Sequence, residues 1–290
     1  MKAVIPAAGL GTRILPATKA IPKELLCLVD RPMIQYVVEE AVAAGIRDVV
    51  IVTSPGKEAL AAHFAPAPEL ERALEAKGKT DLLEAVRGAT ELADVTFATQ
   101  DEPLGLGHAV WCAREAVGSG PFAVLLPDEL FGGPGLLRAL VEHYERFRAP
   151  VIAVMEMPPD EISNYGVVDP EPAGDDIVRM KGFVEKPPAD RAPSNLGSIG
   201  RYVLTPDVFE ALGRTTPGAG GEIQLTDAIA TVAHEKDGYA YIHRGPRHDV
   251  GRPLGFLKAT VDLAARDPEM GLEFKAFLAE YMRGVESSER

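Results

Sequence analysis

"KAVIPAAGLGTR" (2–13) and "RPMIQYVVEEAVAAGIRDVVIVTS" (31–54) decide the fold between them. Residues 2–8 form a short apolar run that ends in small residues, as a buried parallel strand does. From 31 to 46, apolar side chains recur at Ile34, Val37, Val38, Ala41 and Val42, a helical stripe. Pro32 suits its first turn and Gly45 its C-terminal cap. Residues 47–54 return as a strand. Strand, glycine loop, helix and strand make a βαβ unit, whose crossover is right-handed.

The alternation continues outward. Residues 57–64, 68–77 and 79–88 are predicted helices and 94–100 a strand. Then come a helix over 107–118, a strand over 121–130 with an acidic end, a helix over 135–147 and a strand over 149–157. After Pro158 the texture changes: 165–187 holds two strands about a Pro/Gly/Asp turn, and 196–204 is a further strand. Helices are predicted over 205–213 and 221–235, a strand over 239–244, and helices over 253–266 and 269–283. The expectation is an α/β fold: a Rossmann-like mixed, mainly parallel sheet flanked by helices, with a smaller antiparallel elaboration. No repeat or linker divides 1–283, which is read as a single domain. Its first half covers about 1–157, its more mixed second half about 158–265, and its C-terminal helices 253–283. The polar tail, 284–290, is expected to fray.

Bulk composition narrows the function. The 290 residues carry 30 Lys plus Arg against 43 Asp plus Glu, a net charge of −13. A general affinity for nucleic-acid backbone is disfavoured, so clustered basic residues serve a local anion. No uncharged apolar run reaches the roughly 20 residues that span a bilayer. The opening residues are too broken by Pro6 and the glycines for a signal peptide. With two cysteines, Cys27 and Cys112, a disulfide framework is excluded, and a reduced cytoplasmic enzyme is expected.

The glycine loop fits neither common phosphate motif. After Gly9 and Gly11, Ile14 stands where the dinucleotide fingerprint needs its third glycine, and Pro16 interferes with an immediate helix. Nor does G-x-x-x-x-G-K-[ST] fit from Gly9. A dehydrogenase and a P-loop kinase are both poor readings. The chemistry still suits phosphate: Gly9 and Gly11 permit close backbone approach, Arg13 offers a forked donor, and Lys19 and Lys23 are mobile point charges. A strand-end turn with solvated basic residues is the alternative.

"AAGLGTRILPATKAIPKELLCLVDRPMIQYVVEEAVAAGI" closely resembles the N-terminal signature of the bacterial UTP–glucose-1-phosphate uridylyltransferase family, within the sugar nucleotidyltransferases. "GLGHAVWCA", "FAVLLPDEL", "YGVVD", "FVEKP", "GGEIQLTDAI" and "GRPLGFLKA" agree in order, through about residue 260. The resemblance implies a nucleotide-diphospho-sugar transferase type of fold and an Mg²⁺-dependent reaction of UTP with glucose 1-phosphate, giving UDP-glucose and pyrophosphate. It also implies self-association as a homodimer or homotetramer.

The resemblance carries roles to particular residues. Arg13, Lys23 and Lys186 match the phosphate cations. Ala7, Ala8, Gly9, Gly11, Glu24, Gln100 and Gly105 match nucleotide positions, with Gln100 and Gly105 reading uracil. Gly166, Glu185, Lys186 and Glu222 match the sugar side, and Glu222 is equally a helix cap. Asp128, at the end of an apolar run, and Asp249 match the metal carboxylates; a cap or turn role is the alternative for each. For Glu185 and Lys186 to reach one ligand, the strand must bend before Pro187. His108 is taken as a capping or substrate-adjacent residue, and the dispersed histidines argue against zinc. The apolar stripe over 272–282 is either helix packing or a subunit contact.

Some positions depart from the family's pattern. Cys27 stands where proline is usual, Gly197 and Ser198 where bulkier apolar residues are common, and His248 and Arg252 where a tyrosine and an acid are typical. The last two bear on Asp249 and on sugar preference. Two rivals remain at this stage: a related enzyme with relaxed base or sugar choice, and a non-catalytic regulatory paralogue.

Overall fold

The computed structural model describes residues 1–288. Its strands are β1 (Lys2–Pro6), β2 (Cys27–Leu28), β3 (Arg31–Pro32), β4 (Asp48–Thr53), β5 (Asp94–Thr99), β6 (Phe122–Leu125) and β7 (Glu129–Phe131). They continue with β8 (Val151–Glu156), β9 (Gly166–Pro172), β10 (Ile177–Glu185), β11 (Leu196–Leu204), β12 (Tyr239–Ile242) and β13 (Arg247–Asp249). The helices are α1 (Met33–Ala43), α2 (Glu58–Phe64), α3 (Pro68–Ala76), α4 (Thr80–Glu91), α5 (Leu106–Cys112) and α6 (Arg114–Val117). After them come α7 (Gly135–Phe147), α8 (Asp207–Leu212), α9 (Leu225–Lys236), α10 (Pro253–Arg266) and α11 (Gly271–Ser288).

Nine strands make one mixed sheet in the order β5-β4-β1-β6-β11-β8-β12-β10-β9. The pairs β5–β4, β4–β1 and β1–β6 are parallel. Antiparallel pairing enters through β11, wedged between β6 and β8, and through β10 with its neighbours β9 and β12. Strands from both halves of the chain therefore share one sheet. Alternation along each strand feeds two cores. Ala3 and Ile5 of β1 pack with Ile34, Val37 and Val38 of α1, while Val4 packs on the other face with Ala109 and Val110 of α5.

The opening βαβ unit forms as its sequence requires. Helix α1 starts at Met33, with Pro32 extended at the N-cap. It ends in a left-handed Gly45 (φ 89°). The Gly45 and Ile46 N–H groups donate to the carbonyls of Val42 and Ala41, the paired bonds of a Schellman cap. From β1 the chain moves to β4 and β5 on one side, and β6 lies on the other. Ligand crevices of open α/β sheets lie at such a reversal, beyond the strands' carboxyl ends.

Three expectations are corrected. The strand predicted over 121–130 breaks into β6 and β7, because Pro127 lacks the N–H a ladder needs and the chain turns at Leu126–Asp128. The helix predicted over 221–235 begins at Leu225, since residues 222–224 are held extended: Ile223 donates to the Leu104 carbonyl and accepts from Gly107. The tail expected to fray from 284 continues as helix through Ser288, Gly284 being accommodated within it, and residues 289 and 290 lie outside the described part.

Candidate active site

The glycine loop leaves the end of β1 with its carbonyls turned to one side. Those of Ala7 and Gly9 accept hydrogen bonds from Lys57 Nζ at 2.6 and 2.7 Å, and that of Ala8 from Ser54 Oγ at 3.3 Å. Gly11 is left-handed (φ 66°) and packed so that an added Cβ would lie 3.1 Å from Lys23 Cβ. Glycine is thus required at Gly11 by conformation and by space. Ala7 is fully buried beneath the loop, whereas Ala8, Gly9 and Gly11 line a cavity of about 410 Å³. Lys23, Gln100, Gly105, Asp128 and Glu222 line the same cavity.

Gln100 follows β5, and its side-chain amide donates to the Gly105 carbonyl at 3.1 Å and lies 3.1 Å from His108 Nδ1. Gly105 (φ 103°) passes so close to residues 222 and 223 that an added Cβ would stand 2.7 Å from Glu222 Cβ. His108 sits in the first turn of α5, behind Gln100, as a supporting residue. Glu222 thus lines the glycine-loop cavity rather than the one that holds Gly166 and Glu185, and it caps no helix, since Gln224 holds the N-cap of α9.

A second cavity, of about 230 Å³, adjoins the first and shares Leu106, Leu126 and Asp128 with it. Arg13, Glu129, Gly166, Glu185, Lys186, Asp249 and Arg252 are among its lining residues. The bend anticipated before Pro187 is present: β10 ends at Glu185, and Lys186 turns left-handed at φ 44°. That conformation costs a non-glycine residue energy, and it brings Glu185 and Lys186 onto one cavity. Glu185 Oε1 lies 3.2 Å from Lys186 Nζ, and Thr226 donates to Glu185 Oε2 at 2.6 Å. Gly166 packs against this pair, an added Cβ there meeting Glu185 Oε2 at 3.2 Å.

Asp128 occupies the turn between β6 and β7 and caps no helix. Several long-range contacts hold that turn. The Leu126 N–H donates to the Gly200 carbonyl, and the Val250 N–H to the Asp128 carbonyl. Arg201, fully buried on β11, donates to the carbonyls of Leu126 and Glu129 on either side of Asp128, and bidentately to Glu40 of α1 at 2.8 and 3.0 Å. Removing one partner of such a buried pair strands the other charge, so Arg201 fixes the turn rigidly.

Asp128 Oδ2 accepts from Lys23 Nζ at 2.7 Å. Burial presses both groups toward neutrality, but their mutual attraction outweighs it, holding the Asp128 carboxyl below the usual range and Lys23 above its own. Asp249, at the end of β13, pairs with Arg252 at 3.3 Å and accepts the Gly251 N–H at 3.1 Å, so the turn role read for it is real as well. A Cβ built on Gly251 would lie 2.9 Å from Asp128 Oδ2 and 3.2 Å from Asp249 Oδ1. The two carboxylates thus converge on a space that only glycine leaves free. No cluster of three or more His, Cys, Asp or Glu with metal-site geometry occurs among the described residues. Two oxygen donors facing an anion cavity fit Mg²⁺, which keeps waters and substrate phosphates as its remaining ligands. A Gly251→Ala variant is therefore expected to fold and to lose Mn²⁺ binding by titration calorimetry, the methyl group filling the cradle.

Several site residues escape sequence reasoning. Glu129 is gripped by Arg247 at 2.6 and 2.7 Å, a pairing across β7 and β13 that no spacing announces. Gln224 and Thr226 line the smaller cavity, whereas Glu222 of the same motif lines the larger one. Conversely, Glu24 is wholly buried and lines neither cavity; it faces Lys57. Lys19 also lies outside both linings.

A mixed α/β sheet with a glycine loop, convergent cations and paired carboxylates at its switch point defines a phosphate-handling transferase. The chain belongs to the nucleotidyl transferase family, whose pattern matches residues 2–266. It is 52% identical over 279 residues to the UTP–glucose-1-phosphate uridylyltransferase of Bacillus subtilis strain 168, covering 96% of this chain and 95% of that one. Among solved structures, the UTP-bound UGPase of Acinetobacter baumannii matches with a TM-score of 0.89 at 44% identity, over 96% of this chain and 98% of that chain. A UDP-glucose pyrophosphorylase complexed with UDP-glucose matches with a TM-score of 0.83 at 39% identity, over 92% and 99% of the two chains. Within the family, the branch is that of the UTP–glucose-1-phosphate uridylyltransferases.

Proposed function

We propose that this chain transfers the uridylyl group of UTP to glucose 1-phosphate, releasing pyrophosphate. The observation that carries the reading is the pair of adjoining cavities that meet at Asp128, one beneath the glycine loop and one holding Glu185 and Lys186. Relatives bound to UTP and to UDP-glucose support the choice of substrates.

The larger cavity takes the nucleotide, with Ala8 and Gly9 leaving room for base and ribose and Gln100 and Gly105 reading the uracil edge. Lys23 from the larger cavity and Arg13 from the smaller one hold the triphosphate where the cavities meet. The smaller cavity takes the sugar phosphate: Glu185 accepts from sugar hydroxyls, Lys186 meets the phosphate, and Gly166 allows close approach. An oxygen of the sugar phosphate attacks the α-phosphorus in line; the new P–O bond forms as the bond to the β-phosphate breaks and pyrophosphate carries off the charge. The nucleophile is already ionised, so no general base is needed. Catalysis then consists of alignment and charge neutralisation. Asp128 and Asp249 would hold Mg²⁺, which when bound would supply positive charge to neutralise the phosphates.

The test is pyrophosphate release with glucose 1-phosphate and Mg²⁺, supplying UTP, dTTP, CTP, ATP or GTP separately. Release with UTP, abolished by EDTA, is expected. Equal release with dTTP would widen base choice, since one methyl group is discriminated only modestly. No release from folded protein that binds UTP would favour a regulatory paralogue, against which stands the retention of Arg13, Lys23, Asp128 and Lys186. A homodimer or homotetramer is supported by the apolar side chains that α10 and α11 leave exposed, among them Leu257, Leu272, Phe277 and Tyr281. A cytoplasmic setting accords with two free cysteines and with the absence, among the described residues, of any helix long and apolar enough to cross a membrane.

A further inference from the structure

Lys57, in the turn between β4 and α2, lies outside both cavities, yet its ammonium is committed three times over. It donates to the carbonyls of Ala7 and Gly9, at 2.6 and 2.7 Å, and to Glu24 Oε2 at 3.0 Å. An ammonium has three donors, so these contacts use them all. The Lys57 side chain is 11% exposed and that of Glu24 is not exposed at all. Glu24 Oε1 is buried and meets no hydrogen-bond donor among the described residues.

Geometry gives these contacts a consequence. In a trans peptide the N–H points opposite to the carbonyl of the same unit. Drawing the Ala7 and Gly9 carbonyls toward Lys57 turns the N–H groups of Ala8 and Leu10 the other way, and both residues line the nucleotide cavity. Ser54 acts likewise on the Ala8 carbonyl, turning the Gly9 N–H. The third contact reaches the short helical turn Lys23–Leu25, where Lys23 faces Asp128 and its neighbour Glu24 faces Lys57. One buried ammonium thereby joins the glycine loop to the turn carrying the phosphate-binding lysine.

We propose that Lys57 is a positioning residue of the nucleotide site, orienting the peptide planes of the glycine loop and, through Glu24, setting the turn that carries Lys23. The inference rests on the nucleotide reading of that cavity. Lys57→Met removes the ammonium and keeps the chain length. It is expected to raise the KM for the nucleotide at least about tenfold, the equivalent of one lost charge-assisted hydrogen bond, and to leave the KM for glucose 1-phosphate within about twofold of wild type.

Because Lys57→Met strands a buried carboxylate, its thermal stability falls too. The double variant Glu24→Leu/Lys57→Met removes the pair whole and is expected to recover much of that stability while nucleotide binding stays weak. Glu24→Leu alone completes the cycle, and the double variant is expected to bind no worse than Lys57→Met, since both residues act through one clasp. Recovery of nucleotide affinity together with stability would overturn the proposal, reducing Lys57 to a strut. Losses that add across the cycle would overturn the shared clasp. Wild-type protein assayed in parallel against the five nucleotides reports separately on base choice, and the comparison is made on whichever nucleotide it turns over. Folded wild-type protein that neither turns over nor binds any of the five would defeat the nucleotide reading and this inference with it.

Discussion

An Asp128→Asn variant is expected to lose about a thousandfold or more in kcat while remaining folded. The amide keeps the shape of the carboxyl, so the turn held by Arg201, Gly200 and Val250 has no reason to move. What disappears is the negative charge shared by the two cavities. Its loss removes one of the two oxygen anions converging beside Gly251 and leaves Lys23 without the negative charge of its 2.7 Å partner. An ammonium that loses such a partner costs about 1–3 kcal/mol, so a modest drop in melting temperature accompanies the kinetic loss. Steady-state kinetics, calorimetric Mn²⁺ titration and thermal unfolding on the same sample separate these effects. Unchanged kcat with unchanged metal affinity would remove Asp128 from the mechanism.

The second large effect falls on the sugar side. Lys186→Met is expected to lower kcat/KM for glucose 1-phosphate by about 10²–10³, the range for deleting one oriented donor to a developing charge. The KM for UTP should be unaffected, because Lys186 lines only the smaller of the two cavities. Thermal stability should change little: Lys186 is half-exposed at its side chain, and its left-handed backbone is set by the bond from its N–H to the Tyr165 carbonyl, which methionine keeps. Paired initial-rate series, varying each substrate in turn, resolve the split. An equal rise in both KM values would place Lys186 elsewhere in the reaction.

Both predictions rest on features that were unequally visible in the sequence. The βαβ opening, the glycine loop and an acid ending β6 are local patterns, written in periodicity and in residues with few conformational options. The bend at Lys186 could be anticipated too, since two neighbours on one strand cannot otherwise face one ligand. What stayed hidden was set by partners distant in the chain. Arg201 and Glu40 are 161 residues apart, and Arg247 and Glu129 are 118 apart; each charge alone resembles an ordinary surface residue until the sheet brings its partner near. Lys57 was hidden for the same reason, lying 48 residues from Gly9. Glu222 and Gln224 illustrate a different limit. A helical pattern over 221–235 conceals that its first residues are pulled straight by loop 104–107, and that tertiary pull decides which side chains face which cavity.

In the proposed reaction the protein aligns two bound phosphates, with no covalent bond between enzyme and nucleotide. Stereochemistry at phosphorus tests that most directly. With UTP made chiral at the α-phosphorus by a single sulfur substitution, one in-line displacement predicts UDP-glucose of inverted configuration, read by ³¹P NMR. Retention of configuration would require two successive displacements through an enzyme-bound intermediate, and would contradict the direct transfer that the adjoining cavities at Asp128 imply.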